Sequence, residues 1–230
     1  MRGSRTVAAV LSLLVFTTGV ATAAPLADRV LPTEQYTTDK ARRLAAAHGA
    51  ALQELNAGIY HCWPWVETQK GSIGFYRPKN AQQDDRYLSV RIFIEQDPSA
   101  AFGRLPFEER AAAMFSRYVG PLLRRMTKSQ AVVADASVDG FTTILEWTKQ
   151  AASVGGRPVH ETIAVFVDKA TALDYLAGKA DIRAVASRAR VLGFDGETPL
   201  GAVSLGPTHD DNFVTTYKVA NYQLEPGVTC

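Results

Sequence analysis

Apolar residues recur at two different periods along this chain, and the two periods keep to separate blocks. Over residues 38–57 the period is helical. Ala41, Leu44, Ala45, His48, Ala51, Leu52 and Leu55 fall on one face, and Gly58 stands where a helix can end. Over residues 87–95 the period is two. Leu88, Val90, Ile92 and Ile94 alternate with Ser89, Arg91, Phe93 and Glu95, as in a strand with one buried face. A second helical stripe, Phe107, Ala111, Phe115, Tyr118 and Leu122, opens at Pro106. Glu108 and Glu109 sit in its first turn and Arg124 and Arg125 in its last, a charge order that suits the helix dipole. Gly120-Pro121 is expected to kink this helix or end it early.

Three β-rich stretches follow, at residues 130–136, 141–149 and 158–167. Asp139-Gly140, between the first two, is a hairpin signal, and the loop containing Gly155-Gly156 suits an antiparallel join between the second and third. Residues 168–177 and 181–188 read as short helices around Gly178, and 191–194, 202–205 and 213–222 as further strands. Strands grouped in this way, rather than alternating strictly with helices, predict an α+β fold: a single domain with a largely antiparallel sheet packed by two longer and two short helices. No linker-like tract, internal repeat or low-complexity segment divides it.

Residues 1–23 are expected to lie outside that domain. Arg2 and Arg5, an apolar run from Val7 to Val20 and then Ala21-Thr22-Ala23 have the order of a secretory signal peptide cleaved before Ala24. The run is too short for a bilayer anchor, and residues 24–230 hold no apolar stretch long enough for a membrane span. A secreted or periplasmic protein is the expectation. The chain has 25 Lys+Arg against 23 Asp+Glu, and subtracting Arg2 and Arg5 leaves 23 against 23. That balance lacks the basic footprint of a nucleic-acid partner. In an exported chain the two cysteines, Cys62 and Cys230, are expected to form a disulfide that ties the last residue to the N-terminal third.

The sequence carries none of the strong catalytic or nucleotide-binding signatures: no GxSxG elbow, SxxK, HExxH, P-loop or GxGxxG. His160-Glu161 begins like a zinc-protease motif, but Ala164 stands where the second histidine belongs. On a strand, the two side chains would also point to opposite faces. No cofactor and no metal are expected. His48, on an apolar stripe, reads as a hydrogen-bonded core residue.

Two constellations remain. Tyr60, His61, Trp63 and Trp65 surround Cys62 and Pro64; exposed they would recognise a partner, and buried they would form a small core beside the disulfide. His209, Asp210 and Asp211, with Asn212, have the groups to hold a cation or poise a general base, although the same residue types build a polar turn, which is the expected reading. The functional expectation is an exported, non-catalytic binding or accessory domain for a protein, peptide or glycan. The alternative is a hydrolase-like enzyme using His209 with Asp210 or Asp211.

Overall fold

Thr38 starts the first long helix, α1 (Asp39–Cys62), by accepting a hydrogen bond from the Ala41 N–H. The computed structural model describes residues 25–79, 81–95, 100–150, 156, 158–206 and 230. α1 runs past Gly58, the expected stop. A Cβ at Gly58 would lie 3.3 Å from Arg125 Nη1, so the glycine serves the close approach of a second helix rather than termination. The helix ends instead at Trp63, whose N–H reaches the Ile59 carbonyl, just before Pro64.

A short helix α2 (Ala100–Gly103) precedes α3 (Phe107–Met126), which continues through Gly120-Pro121 instead of stopping there. An interior proline costs about 3 kcal/mol. Tyr118, Leu122 and Leu123 beside it are all buried, and each such side chain contributes roughly 1.5–3 kcal/mol. Burial therefore outweighs the broken hydrogen-bond ladder.

The strands are β1 (Val66–Thr68), β2 (Gly74–Tyr76), β3 (Tyr87–Ile94), β4 (Gly140–Gln150), β5 (Val159–Asp168), β6 (Arg190–Asp195) and β7 (Thr198–Ala202). They form one sheet in the order β1-β3-β4-β5-β6-β7, with β2 also paired to β3. Among these described strands, only β3 and β4 run parallel. The chain between them passes through α2, α3 and a short helix α4 (Gln130–Ala134), the stretch expected to be a strand.

Asp139-Gly140 is accordingly not a hairpin turn. The Asp139 carboxylate accepts from Lys40 Nζ at 2.9 Å and from the Arg86 backbone N–H at 2.6 Å. Gly140 opens β4 where a Cβ would come within 2.5 Å of both the Tyr87 ring and the Val167 carbonyl. β7 begins earlier than the expected 202–205, because Gly196, at φ 59°, turns the chain directly after β6. The expected strand at 213–222 lies outside the described residues.

Asp168 caps α5 (Lys169–Leu176) and Asp181 caps α6 (Ile182–Arg188) through side-chain bonds to the Thr171 and Ala184 N–H groups. α1, α3, α5 and α6 pack on one face of the sheet. There Val90, Ile92, Phe141, Leu145, Ile163 and Val165 meet Leu52, Ile59, Phe115 and Leu122 in one α+β core. No helix among the described residues is long and apolar enough to cross a membrane. The Cys62 and Cys230 sulfurs lie at disulfide distance, with Cα atoms 5.7 Å apart, at the end of α1.

Candidate functional site

Side chains alternate across a strand, so the same register that fills the core assigns the opposite face residue by residue. Three rows cross it: Ser89, Thr142, Phe166 and Arg190; then Arg91, Ile144, Ala164 and Leu192; then Phe93, Glu146, Thr162 and Phe194. None of the described helices packs on these rows. A cleft of about 600 Å³ lies over most of them, leaving out Phe93, Glu146 and Arg190, bounded on the β1–β2 side by residues 69–72 and 76–79 and across the sheet by Gly196. That volume falls within the roughly 300–1,000 Å³ of small-molecule sites.

The cleft changes character across the strands. Lys70, Arg77, Lys79 and Arg91 line it from the β1–β3 side, and no acidic residue among the described residues does so. The β4–β6 floor is apolar, made by Ile144, Ala164, Phe166, Leu192 and Phe194. Between the two lie Ser89 and Thr142, directly paired across β3 and β4 and each 4% exposed. Neither hydroxyl has a hydrogen-bond partner among the described residues. Tyr76 closes one wall by donating to the Gly71 carbonyl. Burial pushes its phenol up to about 12, so it stays a neutral donor at physiological pH.

Arg91 is the one cleft cation with a strong internal partner. Its Nε and Nη2 donate to Glu146 Oε2 at 3.1 and 2.6 Å, and Glu146 Oε1 lies 2.9 Å from His160 Nδ1. The His160 ring packs 5.0 Å from Phe93. This chain fixes the orientation of three polar side chains, and none of them hydrogen-bonds to the Ser89 or Thr142 hydroxyl. Lys70 lies 3.7 Å from Asp28 in an exposed, weak pair. Arg77 and Lys79 have no ion-pair partner among the described residues.

Glu161, the sequence neighbour of His160, points into the core, as the strand geometry requires. It is fully buried and accepts from Arg110 Nε at 2.7 Å, from Arg110 Nη2 and from Trp147 Nε1 at 3.0 Å. His48 is buried on α1, with Nε2 2.9 Å from Asp135 Oδ2. That bond and the Ser137 N–H hold the Asp135 carboxyl below its ordinary value.

The aromatic cluster around Cys62 does not form one surface. Tyr60 is 40% exposed and His61 is exposed beside it, with ring centroids 5.2 Å apart. Trp63 is half-buried, edge-on to Tyr118 at 6.2 Å and under the Arg125 guanidinium at 4.8 Å, whereas Trp65 is buried. His61 borders a second hollow, between α1 and α3, whose cations are already engaged: Arg125 on Trp63, Arg124 over Tyr175 and Lys128 with Glu54. His209, Asp210 and Asp211 lie outside the described residues. Among the described residues, no group of three or more His, Cys, Asp or Glu side chains could hold a metal ion.

Of the cleft residues, only Ser89 and Arg91 were visible in the sequence as the polar phase of a strand. A solvated sheet face carries the same signal, and the wall that makes this face concave comes from two three-residue strands too short to show a period. Comparison with family models, with curated proteins and with solved structures finds no match to this chain.

Proposed function

We propose that this chain is an exported, non-catalytic binding domain that takes its ligand in the cleft on the open face of the sheet. The observation that carries the reading is the pair of hydroxyls in the cleft floor. Ser89 and Thr142 are almost fully buried, yet neither has a protein partner among the described residues. Both residues line the cleft, so their hydroxyls are free to hydrogen-bond to a ligand there rather than to the protein. The surrounding floor is apolar, the mixture that small-molecule sites use.

Binding is favoured over catalysis because no described histidine or carboxylate hydrogen-bonds to either hydroxyl, so neither has the base that would make it a nucleophile. The glutamate nearest in register to the cleft floor, Glu146, is engaged by Arg91 and His160. Export is supported by the order of residues 1–23 and by the cysteine pair.

The test is a fluorescence titration with the neutral dye Nile red, using the purified chain and the variant Ala164→Trp, which fills the cleft floor. The wild type is expected to bind saturably at one site, and the variant to lose at least about tenfold in affinity, since an occupied cleft forfeits the apolar contact. Equal binding by the two proteins, or no binding by the wild type, contradicts the reading.

A further inference from the structure

From the distribution of charge around the cleft we infer that its ligand is a single-chain amphiphile with an anionic head. The inference rests on the binding role proposed for this face and adds the chemical class of the occupant. Lys70, Arg77, Lys79 and Arg91 line one side, no carboxylate among the described residues lines the cleft, and Arg77 and Lys79 have no ion-pair partner among the described residues. Arg77 and Lys79 are exposed, so salt screens them, yet two unpaired cations at the rim of a low-polarity floor still favour a negative over a positive head group.

The opposite side takes a chain rather than a second polar group. From β3 to β6 the face spans three strand spacings, about 14 Å. Over the last two of these strands the cleft residues are Ala164, Phe166, Leu192 and Phe194, apart from Thr162. The head group would lie against Arg77 and Lys79, the Ser89 and Thr142 hydroxyls would donate to it or to its first polar atoms, and the chain would cross Ile144 toward Phe194. Each methylene moved from water onto such a floor strengthens binding by up to about fourfold.

The experiment is displacement of Nile red by laurate, decanol, dodecyltrimethylammonium and acetate, each below its micellar concentration, at low and high salt. Laurate is expected to bind at least about tenfold more tightly than the cationic amphiphile, to weaken as salt rises, and to far exceed acetate. Shorter carboxylates should fall between laurate and acetate in order of length. In the variant carrying both Arg77→Glu and Lys79→Glu, the preference is expected to reverse toward dodecyltrimethylammonium, a gain that a misfolded protein would not show.

Equal affinity for the anionic and cationic chains in the wild type, or an unchanged preference in the charge-reversed variant, overturns the assignment of ligand class. The binding reading survives that result if Nile red still depends on Ala164. Binding of acetate as tight as that of laurate overturns the amphiphile. Loss of Nile red binding altogether overturns both.

Discussion

His160 and Glu161 leave the same strand in opposite directions and meet different physical demands. His160 is held by Glu146 beside solvent, whereas Glu161 sits in the core with its oxygens taken up by Arg110 and Trp147. A buried pair that loses one member strands the other charge, at a cost of about 3–5 kcal/mol. Glu161→Ala is expected to destabilise the fold by that amount in urea denaturation. The paired replacement Arg110→Met with Glu161→Leu should recover most of the loss, because similar-sized apolar groups remove the stranded charge. A single variant within about 0.5 kcal/mol of wild type would contradict the buried clamp.

At the scale of elements, the parallel join of β3 to β4 organises the sheet, and it depends on Gly140. A Cβ there meets backbone, the Val167 carbonyl, as well as the Tyr87 ring, and backbone has little room to yield. Gly140→Ala is expected to cost about 1–3 kcal/mol, as overpacking does. Thermal unfolding measures this, and an unchanged midpoint would show that the approach of β5 is looser than described.

The same residue shows where sequence reasoning stopped. Asp139-Gly140 carries a turn signature, but its chemistry serves a long-range contact: Asp139 gathers Lys40 and the Arg86 N–H, and Gly140 admits its neighbours. Gly58 misled in the same way, because a glycine required by a neighbouring helix has the same appearance in sequence as one required by a cap. The strong periods behaved differently. α1, β3, α3, β4, β5, α5 and α6 were all legible, since each carries a run of apolar residues that must reach one core. Residues 130–136 read as strand because Val132 and Val133 favour it, yet only one turn of helix fits between α3 and β4.

At the scale of the whole molecule, the described residues form two layers, with the helices on one face of the sheet and the cleft on the other. The cysteine pair acts at this scale, since Cys62 and Cys230 stand 168 residues apart in sequence. Closing so long a loop restricts the unfolded chain by up to about 5 kcal/mol in the chain-entropy account. Replacing both cysteines by Ser is expected to lower the melting temperature while leaving a cooperative transition, because a core of this size does not depend on one staple. Peptide mapping without reductant that found two free thiols would contradict the pairing.

The placement of the binding face is tested most directly by mapping amide chemical shifts while decanol, a neutral chain of suitable polarity, is added to the labelled full chain. The account predicts the largest shifts along β3–β6 and the adjoining wall, at Tyr76, Ser89, Thr142, Ala164 and Phe194. Shifts centred instead on the hollow between α1 and α3, at Gly58, His61 and Arg124, with β3–β6 unmoved, would contradict it.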